Sequence, residues 1–66
     1  MSSSVLDLRC CDYDTNSTNT ESLRKWVHNT YKYVYKGSDI PDEVLNKMSK
    51  DEIKEFVEEL DWLASK

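Results

Sequence analysis

An all-α fold, a small three-helix bundle with an irregular N-terminal arm, is what this sequence predicts. Three features carry that expectation. Apolar residues recur at intervals of three and four in two long stretches. The Ser/Thr-x-x-Glu spacing that satisfies a helix start occurs at Thr18 to Glu21 and at Ser49 to Glu52. One Gly and one Pro leave little to interrupt helical backbone. With 66 residues, 38% of them hydrophobic and 33% charged, the chain has the composition of a globular protein and the length of one domain.

Residues 1–18 form the expected arm. Ser2, Ser3 and Ser4 lead into a short apolar cluster of Val5, Leu6 and Leu8, then the adjacent Cys10 and Cys11, then Asp12-Tyr13-Asp14-Thr15-Asn16-Ser17, a run of turn formers with no apolar period. A loop or loosely packed segment is expected there, and the bundle over residues 19–66. Its first helix is expected over about residues 20–36, opened by the Thr18/Glu21 box, striped by Leu23, Trp26, Val27, Tyr31 and Val34, and closed by Gly37 in a left-handed cap. The second, over about residues 41–48, has Pro41 in its first turn, where no N–H partner is lost, and carries Val44, Leu45 and Met48. The third, over about residues 50–64, starts with the Ser49/Glu52 box and bears the most regular stripe, Ile53, Phe56, Val57, Leu60, Leu63 and Ala64. The expected core is Leu23, Trp26, Val27, Tyr31, Val34, Val44, Leu45, Met48, Ile53, Phe56, Val57, Leu60 and Leu63.

Catalysis is not expected. His28, the single histidine, falls about 120° from the apolar stripe of its helix, on the solvent side, and a bundle this small has little room for a water-excluding pocket. Cys10, Cys11 and His28 lack zinc-site spacing, so no metal or cofactor is expected. Asp12-x-Asp14-x-Asn16 opens like a calcium loop, but Ser17 stands where that loop needs glycine and Leu23 where it needs the bidentate glutamate. A turn is expected instead. No cationic start with an apolar stretch marks a secretory signal and no run approaches a membrane span, so the expected location is cytoplasmic, with both cysteines reduced.

The 13 acidic and 9 basic side chains give a net charge of −4, unfavourable for general attraction to nucleic acid or anionic lipid. The imbalance is uneven. Residues 1–37 carry five basic and four acidic groups, and residues 38–66 carry four basic and nine acidic. On the first helix Lys25, Lys32 and Lys36, with Tyr33 and Tyr35 beside them, make a basic aromatic face of the kind that could hold RNA or DNA, the alternative function. On the third helix Trp62 lies about 180° from Ile53, away from the stripe, among Glu55, Glu58 and Glu59, with Asp51 on the same face. An outward indole rimmed by carboxylates is the expected protein-binding site, facing a larger partner with a basic surface. The leading expectation is a non-enzymatic inhibitor or regulatory protein, of the small acidic sort common among phage and viral proteins acting in a host cytoplasm. A second copy, basic face against acidic face, is a further candidate partner.

Overall fold

In the computed structural model, which describes residues 4–66, the chain is all-α: a 3₁₀ turn over Val5–Asp7, then α1 (Cys10–Tyr13), α2 (Leu23–Val34), α3 (Asp42–Lys47) and α4 (Lys50–Ala64). Met1, Ser2 and Ser3, at the start of the expected arm, lie outside the described residues.

The arm is not a loose loop. Ser4 caps the 3₁₀ turn by accepting the Leu6 N–H at 3.2 Å, which points Leu6 inward to full burial. Cys10 and Cys11 then donate their backbone N–H groups to the carbonyls of Glu21 and Asn19 at 2.8 and 2.9 Å. Leu23 donates to Leu8 at 2.7 Å, with Arg9 and Ser22 paired as an antiparallel bridge. This tie replaces the Thr18/Glu21 box. Ser22, not Thr18, accepts the helix-start N–H, from Lys25 at 3.3 Å, so α2 begins at Leu23 and not at about residue 20. Asn19 is engaged in the turn, its Oδ1 accepting the N–H of Glu21 at 2.9 Å. At the other end the backbone leaves helical geometry at Tyr35 (φ −111°, ψ 77°), two residues before Gly37 takes φ +81°.

α3 is shorter than expected because Pro41 sits outside it as the N-cap, and its last carbonyls give way to a tight turn in which Met48 donates to Leu45 at 3.2 Å. α4 matches its expected range. Ser49 and Glu52 exchange both capping-box bonds, Ser49 Oγ accepting from the Glu52 N–H at 3.2 Å and Glu52 Oε1 from the Ser49 N–H at 3.1 Å.

α2 packs most extensively on α4 and also meets the 3₁₀ turn and α1. The buried core is Leu6, Cys10, Leu23, Val27, Ile40, Leu45, Ile53 and Leu60, with Trp26, Tyr31, Val34, Met48, Phe56 and Val57 half-buried around it. The Tyr31 ring lies 4.7 Å from Tyr35 and 6.1 Å from Phe56, both tilted, bridging α2 to α4. Two expected core residues are displaced. Val44 is 43% exposed, because six residues of α3 can present only one side to the core and Leu45 takes it. Leu63, in the last turn of α4, is half-buried but does not pack against the buried cluster. Leu6, Cys10 and Ile40, outside the expected core, are buried in the cluster.

Candidate functional site

At 100° per residue, Asp51, Glu55, Glu58 and Glu59 each fall within about 60° of Trp62, on the face of α4 opposite Ile53 and Leu60. All five are exposed, Trp62 to 59%. The indole is not bare on both sides: Lys66, one turn on, holds its Nζ 4.0 Å from the ring centroid. Glu55, Glu58 and Glu59 are within two turns of the indole, whereas Asp51 is eleven residues back, roughly 16 Å along the helix, beside the positive helix start.

These carboxylates differ from five others in what meets them. Asp7, Asp12, Asp39, Asp42 and Glu43 each lie in an ion pair. Among the described residues no cation pairs with Asp51, Glu55, Glu58, Glu59 or Asp61. The acidic excess is therefore unneutralised chiefly along α4, around its one exposed aromatic ring.

The basic face is partly dismantled. Lys25 and Lys36 are exposed and Tyr33 is 68% exposed, but Tyr35 stands beyond the end of α2 with its ring against Tyr31, and Lys32 Nζ is 3.6 Å from Asp39 Oδ2.

Lys32 belongs to a different group, one that sequence reasoning missed. Arg24, His28 and Lys32 repeat at intervals of four, so they form one line along α2, and the acidic residues of the following linker and of α3 close on it. His28 is not a solvent-side residue: its side chain is 22% exposed, with Nδ1 3.1 Å from Asp39 Oδ1 and Nε2 2.7 Å from Asp42 Oδ1. Arg24 reaches Asp42 at 3.1 Å and Asp7 at 3.7 Å. An imidazole facing two carboxylates is matched when both its nitrogens carry protons. The hydrogen bond with Asp42 accordingly raises the His28 pKa, against a smaller lowering by burial and with help from Asp39. The carboxyls of Asp39 and Asp42 are held below the ordinary range, chiefly by His28 and, for Asp42, next by Arg24. The i, i+4 line of cations is the signal that would have disclosed this network.

A cleft of about 540 Å³ opens between α1 with its following turn and the facing sides of α2 and α4. Cys10, Tyr13, Leu23, Trp26 and Val57 supply its apolar lining, and Asp14, Lys54, Glu58 and Asp61 its charged lining. Burial pushes the Cys10 thiol pKa up, and Glu21 and Cys11 push it further, so the thiol is held protonated and unreactive. The Tyr13 hydroxyl is likewise raised by burial, then by the charges of Glu58 and Asp14. Asp14 Oδ1 accepts the Asn16 N–H at 3.0 Å, so the segment resembling the opening of a calcium loop is built as a turn.

No family model matches the chain, and no curated protein or solved structure matches it. Among the described residues no helix is long and apolar enough to cross a membrane, and no group of three or more His, Cys, Asp or Glu side chains is placed to hold a metal ion.

Proposed function

We propose that this chain is a non-enzymatic docking protein: α2, α3 and α4 act as one small three-helix bundle that presents the outer face of α4 to a larger protein with a basic surface, and binding modulates or inhibits that partner. The observation that carries this reading is the 59% exposed Trp62 amid carboxylates that no cation among the described residues neutralises. An exposed indole supplies large apolar area at low entropic cost, and an acidic rim speeds encounter with a positive surface. Lys66 already rests its ammonium over the ring, and in our reading a lysine or arginine of the partner takes over that contact. A row of carboxylates on a rigid helix also suits imitation of a nucleic-acid backbone in the channel of an enzyme that binds one. The raised thiol pKa of Cys10, and the engagement of His28 with two carboxylates, favour no catalytic role for either.

Affinity capture from the cells in which the protein acts, with beads carrying the natural chain or Trp62→Ala, tests the reading. The expected result is a stoichiometric protein retained by the first and lost from the second. Equal retention by both would remove α4 from the interface. The rival reading, nucleic acid held on Lys25, Lys32, Lys36, Tyr33 and Tyr35, has Tyr33 in its favour, yet Lys32 is engaged with Asp39. Labelled oligonucleotide retained at low salt and released steeply as salt rises would establish it in place of ours.

A further inference from the structure

The cleft beside α1 joins two chemistries that usually meet around an organic cation. Its aromatic members, Tyr13 and Trp26, are half-buried, so their rings are fixed by packing on the core while part of each meets the opening. Around them stand Asp14, Glu58 and Asp61, against the single cation Lys54, so the charged lining is net negative by two. Lys54 does not cancel it: among the described residues no ion pair joins Lys54 to any of the three carboxylates. Glu58 and Asp14 line the cleft with Tyr13, and after burial their charges raise the pKa of its hydroxyl. The arm is what makes the cleft. Tyr13 and Asp14 come from α1 and its exit, which the Cys10–Glu21 and Cys11–Asn19 backbone bonds hold against the start of α2.

From this arrangement we infer that the cleft receives an arginine side chain of a partner polypeptide, its guanidinium against Tyr13 and Trp26 and its charge met by Asp14, Glu58 and Asp61. A planar, weakly hydrated guanidinium stacks on aromatic faces and accepts removal from water better than an ammonium does, which selects arginine over lysine. A bare divalent ion fits less well, since the carboxylates are not gathered into a metal-ligand group. Glu58 belongs both to the cleft and to the Trp62 face, so the two surfaces adjoin and one basic partner can use both. The inference rests on the docking reading for the source of the arginine, but its test needs no partner.

The test uses two pentapeptides, acetyl-Gly-Gly-Arg-Gly-Gly-amide and its citrulline counterpart, of similar shape but neutral, titrated into the ¹⁵N-labelled full chain at low salt. The arginine peptide is expected to move the Trp26 indole signal and the amides of Tyr13, Asp14 and Glu58, saturably and at least about tenfold more tightly than citrulline. Asp14→Asn combined with Asp61→Asn, which keeps an acceptor for the Asn16 N–H, should weaken it by about tenfold and leave the rest of the spectrum in place. Trp62→Ala should leave the cleft titration within about twofold, so a failure at Trp62 and a failure here are told apart. Equal binding of the two peptides, shifts confined to Trp62 and Lys66, indifference to the double substitution, or no shift at all would each overturn the inference.

Discussion

Leu6 has no exposed surface, although it sits in a segment that reads as loop, and that makes it the most informative single side chain for the arm. Truncation of a fully buried leucine costs about 2–5 kcal/mol, comparable to the total of about 3–5 kcal/mol that a core of this size supplies. Leu6→Ala should therefore lower the urea midpoint severely or unfold the chain at room temperature. A change under about 0.5 kcal/mol would mean that the arm does not pack. The cysteines give a second check. Cys10 is buried with a raised pKa and Cys11 is partly accessible, so a disulfide-exchange reagent should label Cys11 promptly and Cys10 only as the chain opens. Equal rates under native conditions would contradict that placement. Trp62 is the opposite case. Its outward position was readable from period alone, because 100° per residue turns it away from Ile53, and the structure leaves it 59% exposed.

At the scale of elements, the strength of a local signal decided what could be read. α4 matched its expected bounds because everything that defines it lies within it: a reciprocal Ser49/Glu52 box and an uninterrupted stripe. The same box spacing at Thr18 misled, because the competing interaction is tertiary. The arm's backbone bonds to Asn19 and Glu21 draw that stretch into an extended pairing, and Ser22 becomes the cap. Leu6, Cys10 and Ile40 were unreadable as core for the same reason, since none lies on a helical stripe and each is buried by distant contacts. Of the candidate site, the face of α4 was legible, whereas the cleft needs the arm folded and so was not. The caps can be separated by substitution. Ser49→Ala and Ser22→Ala should each cost about 1 kcal/mol in chemical denaturation, and Thr18→Ala close to nothing. A Thr18→Ala loss as large as that of Ser22→Ala would restore the box that the structure replaces.

For the whole molecule, the charge network of α2 sets how stability depends on pH. His28 has a folded pKa above its ordinary value of about 6.5, so its contribution is complete below that value and is lost as pH rises through the raised one. Asp39 and Asp42 have folded pKa values below their ordinary value near 3.9, so their contribution is complete above it and is lost as pH falls through the lowered ones. The thermal midpoint should therefore be highest between those two ranges and decline from about pH 6.5 upward. His28→Gln should flatten that upper decline and also reduce the acid-side loss, leaving the part that Arg24 and Lys32 contribute. A natural chain whose midpoint rises between about pH 6 and 8 would contradict this role of His28. The electrical layout has a second consequence at this scale. Arg24, His28 and Lys32 on α2 are spent on internal pairs, while the carboxylates on the outer face of α4 meet no cation among the described residues. The molecule thus presents an acidic face with an exposed indole at its C-terminal end, the face we propose as the docking surface for a basic partner. The most direct measurement is the dissociation constant of the captured partner for the natural chain and for Trp62→Ala, with thermal unfolding of both followed in parallel. Binding should weaken by at least about 2 kcal/mol, near thirtyfold, with folding stability changed by no more than about 0.5 kcal/mol. Binding unchanged within about threefold, with the variant still folded, would contradict it.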